Sequence, residues 1–288
     1  GMVPLPPEVI VEGAVMDAGR VVEAIKELLA AQKVKTKEVV ISVSGSSVII
    51  KRVSVADMTD EELSESIKWE AEQYIPFSID DVNVDFQKLG AGAAAGQADV
   101  LLVAVKKDKI NDYVNLVKEA GLEPVVMDVD AFALANMYEL NYAIEEGTTA
   151  LLNIGASVMN INILKDGISI FTRDITVGGT RYTEALQRDF GLTYEDAEKV
   201  KRNEEVEGAD KEQIAGVMSS VTDDIVAETQ RSFEFFRSTT GSDKVSRVLV
   251  SGGCARIGNF TTVLSDRLEI PVEVVDPFKK IKVDAKRF

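Results

Sequence analysis

The sequence predicts an α/β protein of two lobes, and three observations carry this. Its 288 residues exceed what one small hydrophobic core serves. Short β-branched runs alternate with segments of helical period throughout. The pattern then changes character at Thr148, where three strand-like segments follow one another with no helix between them.

The elements of the first half can be taken in order. Val21, Ile25, Leu28 and Leu29 recur at helical spacing, with Asp17 placed to cap that helix. Residues 39–43 and 48–50 read as strands flanking Ser44-Gly45-Ser46-Ser47. Thr59 and Glu62 stand at capping-box spacing. The helix behind them carries Leu63, Ile67, Ala71 and Tyr74 on one stripe and stops before Pro76. Trp69, the single tryptophan, falls opposite that stripe, so it either packs on a second element or faces a partner. Val82, Val84 and Phe86 alternate as a strand, residues 90–96 read as a small-residue loop, and 99–105 as a buried strand. A helix through Ile110 and Val117 ends at Gly121, followed by a strand over 125–129 and a helix through Phe132 and Met137.

In the second half, strands are expected over 150–154, 158–164 and 168–172, the last two joined by a hairpin turn at Lys165-Asp166-Gly167. Helices follow over 180–190, closed by Gly191, and from Thr193 to about Asn203. After a polar loop over 203–211, a long helix runs over 214–238. A strand over 245–250, a helix over 257–268 and a strand over 272–275 complete the chain. Lys279, Lys280, Lys282, Lys286 and Arg287 read as a frayed basic tail, and Gly1 before Met2 as a processing remnant outside the fold.

Composition removes several functions. There is no histidine, and Cys254 is the one cysteine, so a disulfide and a cysteine-built zinc site are excluded. A net charge of −16 opposes a nucleic-acid groove. The charge is concentrated early: residues 1–150 hold 13 Lys and Arg against 26 Asp and Glu. Between Asp57 and Asp85 stand ten acids and one base, Lys68, which is either a solvated face or a landing surface for a basic peptide. No apolar run approaches the roughly 18–20 residues of a membrane helix, and no signal-peptide pattern opens the sequence.

Four constellations could carry chemistry, and each also has a plain structural reading. Asn153-Ile154-Gly155-Ala156-Ser157 is a small-residue turn able to present backbone N–H groups to phosphate, or simply a hairpin turn. Ser251-Gly252-Gly253-Cys254 follows a hydrophobic strand and admits close approach of a ring or sugar, or merely turns the chain. Glu198 and Lys201 share a helix face, as groups for ribose hydroxyls or as a solvated ion pair. Gly178-Gly179-Thr180 opens a helix, as a hinge, an anion-facing start or an ordinary cap.

The order and separation of these four features resemble the second lobe of the actin/Hsp70/sugar-kinase ATPase superfamily. The resemblance implies that the first turn holds phosphate, that Glu198 and Lys201 touch ribose, and that Gly252-Gly253 receives adenosine. Further stretches resemble the PilM family, the actin-like, FtsA-related proteins of type IV pilus assembly. They are Lys68-Trp69-Glu70-Ala71-Glu72-Gln73-Tyr74-Ile75-Pro76-Phe77, Asp128-Val129-Asp130-Ala131-Phe132-Ala133-Leu134, and Phe171-Thr172-Arg173-Asp174-Ile175 ahead of Gly178-Gly179.

Membership implies an actin-like (ribonuclease H-like) two-lobed ATPase fold. Subdomain 1A would comprise 1–52 and 126–147, 1C would be 53–125, 2A would be 148–178 with 241–288, and 2B would be 179–240. It implies an adaptor in the cytoplasm, held at the inner membrane through its partners. Those partners would be the extended, apolar and basic N-terminal segment of PilN, in a groove between 1A and 1C, and through it the pilus platform and motor. Trp69, Tyr74, Ile75 and Phe77 are the expected partner-binding residues. Asn153, Gly155, Ala156, Ser157, Gly178, Gly179, Glu198, Lys201, Gly252 and Gly253 are the expected nucleotide-binding residues, with no catalytic residue and no protein-held metal.

ATP with magnesium is implied for an intact family member. The family opens with a strand pair around a first phosphate loop, but this chain shows no such turn before Val39. It begins at Val3-Pro4-Leu5-Pro6-Pro7, which resembles the stretch just after that hairpin, so it is open to holding no nucleotide. Asn153 also stands where hydrolytic members carry Asp, which disfavours hydrolysis. Three alternatives remain: an active ATPase or kinase using Asp128 or Asp130, an actin-like filament former, and a GspL-like domain of type II secretion.

Overall fold

The computed structural model describes every residue except 46, 93, 205, 207–209, 242–243 and 283–288. Ser46, parts of the expected loops over 90–96 and 203–211, and Lys286 and Arg287 of the tail therefore lie outside the described residues. The chain divides into two compact units, Gly1–Ala133 and Leu134–Phe288.

The first unit opens with a small hairpin that sequence patterning did not suggest. β1 (Ile10–Val11) and β2 (Ala14–Val15) pair across Glu12 and Gly13, at φ 49° and 78°, the two left-handed positions of a tight turn. α1 (Ala18–Ala31) follows, capped by Asp17, whose carboxylate accepts the Arg20 N–H at 2.9 Å. β3 (Glu38–Val43) and β4 (Val48–Ala56) enter different sheets.

α2 (Asp60–Glu72) begins with the expected capping box: Thr59 Oγ1 accepts the Glu62 N–H, and Glu62 accepts the Thr59 N–H. Leu63, Ile67 and Ala71 are buried on its inner face. β5 (Val82–Ala91) takes the first two residues of the expected loop and pairs with β6 (Gln97–Lys106). The three-stranded sheet has order β4-β6-β5. Val53, Val55, Val100, Leu102 and Ala104 of that sheet join α2 in one core. α3 (Lys107–Glu119) leads into β7 (Glu123–Val129), which lies parallel to β3. Asp99 is buried on β6, where Ser54 Oγ donates at 2.6 Å and Arg52 Nε at 3.1 Å. These bonds, Ser54 first and then Arg52, hold its carboxyl below the usual range.

α4 (Asp130–Asn141) spans the boundary between the two ranges and has no single apolar stripe, with Asn136 and Glu139 among its exposed residues. Asp130, a candidate catalytic carboxylate by sequence, is the first residue of this helix. Tyr138 and Tyr142 pack with Leu151, Leu164 and Leu249 of the second unit.

The second unit is built on a five-stranded sheet of order β10-β9-β8-β11-β12. β8 (Thr148–Ile154), β9 (Met159–Lys165) and β10 (Ile168–Ile175) form an antiparallel meander. The turn at Asp166 (φ 51°) and Gly167 (φ 83°) is the predicted hairpin. α5 (Thr180–Phe190), α6 (Tyr194–Lys201) and α7 (Lys211–Thr240) follow. α7, at 30 residues, extends beyond the expected 214–238 at both ends. It buries Thr222, Thr229 and Ser232, whose hydroxyls donate back to carbonyls one turn earlier, at 2.9 Å each, and so leave no polar group unmatched.

β11 (Arg247–Ser251) lies parallel to β8 and to β12 (Val272–Val274). The glycine pair after β11 does not enter an α-helix directly. A 3₁₀ turn over Gly253–Arg256 intervenes, and α8 (Phe260–Leu268) begins only after Asn259 takes φ 60°. The expected frayed tail is docked as far as it is described. The Asp276 N–H donates to the Tyr142 hydroxyl at 2.7 Å, the Lys280 N–H donates to Asn141 Oδ1 at 3.1 Å, and Lys279 Nζ lies 4.5 Å from the Tyr142 ring centroid. Among the described residues no helix is long and apolar enough to cross a membrane.

Candidate functional site

The second unit gathers all four constellations at one end of its sheet. Ser251, Asn153, Asn160 and Asp174 are direct cross-strand partners on β11, β8, β9 and β10, and form one polar row. Ser251 Oγ donates to Asn153 Oδ1 at 3.3 Å. Asn153 Nδ2 donates to Asn160 Oδ1 at 3.2 Å, and Asn160 Nδ2 donates to Asp174 Oδ1 at 2.8 Å. Strand alternation sets the row on the Leu151 and Leu249 face, away from the core on α5 and α7. Asn160 and Asp174 escaped sequence reasoning because the meander register, not a local motif, brings them beside Asn153.

The turn after β8 locks onto the start of α5. The Gly179 N–H donates to the Gly155 carbonyl at 2.9 Å, and the Thr180 N–H and hydroxyl donate to the Ala156 carbonyl at 2.7 and 2.8 Å. The Arg181 and Tyr182 N–H groups go to Gly178 and Gly179. This helix start is therefore spent on carbonyls and is not turned toward an anion. Gly178 has no alternative residue, since a Cβ there would lie 2.5 Å from the Gly155 oxygen. The Gly155 N–H is taken by Val158 at 3.0 Å. The Ala156 and Ser157 N–H groups have no acceptor among the described residues, so they are the donors this turn can offer a phosphate.

The two glycines after β11 differ. Gly252 sits at φ 86°, and a Cβ on it would meet the Ile154 oxygen at 2.4 Å. Its missing side chain is thus used by the protein's own strand. A Cβ on Gly253 would meet nothing within 4 Å, so that glycine faces open space.

Glu198 and Lys201 are not the solvated pair that spacing alone allows. They pair one turn apart on α6, with side chains 24% and 16% exposed. Thr183 of α5 joins them, donating to Glu198 Oε1 at 2.5 Å and accepting from Lys201 Nζ at 3.0 Å. Lys201 also reaches the Gly179 carbonyl at 3.4 Å. Cys254 lies buried beside this cluster, its thiol pushed up to about 11 by that burial, and it is inert as a nucleophile. Among the described residues no group of three acidic or cysteine side chains could hold a metal ion.

The first unit carries a groove of about 530 Å³ on the face of its three-stranded sheet turned away from α2. Alternation along β6 makes the distinction: Val100, Leu102 and Ala104 pack under α2, while Leu101, Val103 and Val105 line the groove. Asn83, Asp85 and Gln87 of β5 flank it, and Met127, Asp128 and Phe132 form the opposite side. Asp85 and Asp128 each accept the next residue's N–H, at 2.8 and 2.7 Å. Asp128, a candidate catalytic carboxylate by sequence, thus lines this groove.

The expected partner-binding residues lie elsewhere. Trp69 is 73% exposed on the outer face of α2, across the sheet from the groove. Ile75 is 6% exposed within the α2 core, and Tyr74 and Phe77 pack against that core, Phe77 beneath Lys106 Nζ at 4.1 Å. Sequence spacing cannot reveal the groove, whose walls come from segments far apart in the chain.

The fold is that of the actin-like ATPases. It is shared at TM-score 0.53 with MreB5 of Spiroplasma citri bound to ADP, at 15% identity over 96% of this chain and 75% of that one. Within this class the assignment narrows: the family model of type IV pilus assembly protein PilM matches residues 1–287, and the chain belongs to that family. It is similar to the solved PilM-PilN type IV pilus biogenesis complex, with 30% identity, TM-score 0.84, and coverage of 99% of this chain and 83% of that one.

Proposed function

We propose that this chain is an adaptor of the type IV pilus platform that takes the N-terminal segment of PilN into the groove of its first unit. The observation that carries this reading is family membership together with the likeness to a PilM-PilN complex. The groove supports it physically. Its floor is apolar through Leu101, Val103 and Val105, and Asp85 and Asp128 bring negative charge to its walls. An extended, apolar and basic segment is the complementary ligand. PilN would hold the protein beneath the inner membrane and connect it to the rest of the platform and motor, with residues 53–125 acting as subdomain 1C.

Nucleotide is the proposed ligand of the second unit. The Ala156 and Ser157 N–H groups would meet phosphate, Glu198 and Lys201 the ribose hydroxyls, and the open Gly253 the adenosine. Magnesium would supply charge neutralisation at the phosphates. At Asn153, the position nearest the turn, the row offers an amide already engaged on both sides. Nucleotide is therefore proposed as a structural ligand, not a turned-over substrate.

Calorimetric titration of a peptide of the cognate PilN N-terminus, with and without magnesium-ATP, tests both readings. Binding that Asp85→Lys weakens supports the groove, and equal affinity in that variant removes it. Phosphate release above background would overturn the structural role of nucleotide.

A further inference from the structure

The geometry points to a second docking surface on the outer face of α2, built around Trp69, that takes a lysine- or arginine-rich protein segment. Trp69 has no packing role to explain it, because the inner stripe of Leu63, Ile67 and Ala71 already anchors α2 to its sheet. A large, rigid indole left 73% exposed on a well-packed helix is the kind of anchor that interfaces bury.

Its helical neighbours are mainly acidic, with Lys68 the one base on this helix, and so favour a cationic partner. Glu65 and Glu72 stand four residues before and three after Trp69, and therefore on its face; Glu61 continues the same ridge. All three are exposed, and none makes an ion pair or side-chain hydrogen bond among the described residues. A cationic side chain could lie over the indole and meet these carboxylates at once.

The charge distribution also chooses among occupants. The first 150 residues hold twice as many acids as bases, so a second copy docking through this same face would bring like charge to it. The PilN segment proposed for the groove would occupy the opposite side of the sheet, so the two surfaces can be filled together.

Trp69 is the only tryptophan, so its fluorescence reports this face alone. The probe is a synthetic amphipathic Lys/Leu peptide titrated into the intact chain, with a Glu/Leu peptide of the same pattern beside it. The Lys/Leu peptide should shift the emission to the blue, and the Glu/Leu peptide should not. Glu65→Lys with Glu72→Lys, both at exposed positions, should weaken the response about tenfold or more, while Asp85→Lys in the groove leaves it unchanged. Four results would overturn the proposal: an equal shift with the acidic peptide, full affinity in the double variant, loss of the shift in Asp85→Lys, or a blue shift on raising the protein concentration alone.

Discussion

Gly252 lies beneath the carbonyl of Ile154, so close that a Cβ at 252 would stand 2.4 Å from that oxygen. The contact joins the end of β11 to the end of β8 and uses a left-handed backbone at φ 86°. Gly252 and Gly253 thus do different work, although they look alike in the sequence.

Valine at each position should separate the two roles. Gly252→Val is expected to destabilise the fold by about 2 kcal/mol or more, through overpacking and backbone strain. Gly253→Val should leave the urea midpoint nearly unchanged and weaken ATP binding. A Gly252→Val protein as stable as the parent would refute the first expectation. Unchanged ATP affinity in Gly253→Val would remove that glycine from the site.

Asn153→Asp should break the polar row. An ionised carboxylate at 153 would face Asn160 Oδ1, acceptor against acceptor, while Asn160 keeps Asp174 on its other side. A loss of about 1–3 kcal/mol is expected at neutral pH. The row can re-form when the new group is protonated, so its folded pKa is raised. The deficit should therefore shrink as pH falls through that value and persist above it. A pH series of urea denaturation checks both the size and the sign.

Asp99 makes the opposite prediction for acid stability. Its folded pKa is held below the ordinary carboxyl range by Ser54 and Arg52. The unfolded chain therefore binds the proton first, and this contribution to stability is present above the unfolded pKa and is lost as pH falls through the folded pKa. Ser54→Ala should raise the pH of acid unfolding. An identical acid midpoint would show that the Ser54 bond contributes nothing.

The groove and the α2 face are expected to respond independently to mutation. Asp85→Lys should weaken the PilN peptide about tenfold, or about 1.4 kcal/mol. Trp69→Ala should leave that affinity within about twofold, because the indole lies across the sheet. Calorimetry on the two variants distinguishes them, and a large loss in Trp69→Ala would place the indole in the PilN interface.

Local chemistry was the part of this fold legible in the sequence. The Thr59–Glu62 capping box, the Asp166-Gly167 turn and the Asp17 cap each involve residues within a few positions of one another. The Glu198–Lys201 spacing was equally readable, but Thr183 reaches that pair from another helix. The groove was expected between 1A and 1C only by family resemblance; its lining could not be read from spacing, because Leu101, Asp85 and Met127 meet only after three segments assemble. Tyr74, Ile75 and Phe77 carry a family signature beside Trp69, yet they serve the core beneath α2. Proximity in sequence grouped an exposed anchor with its own foundations.

The polar row has a direction. Each member gives its hydrogen to the next, from Ser251 through Asn153 and Asn160 to the single carboxylate at Asp174. Reversing one amide would require reversing its neighbours, so the sense of the row is set by the charge at its far end. Ser251 therefore turns its hydroxyl proton inward, toward Asn153 Oδ1 at 3.3 Å or the Leu152 carbonyl at 3.4 Å, and leaves lone pairs on its outer side. In this way an aspartate on the last strand of the meander orients a hydroxyl three strands away, without touching it.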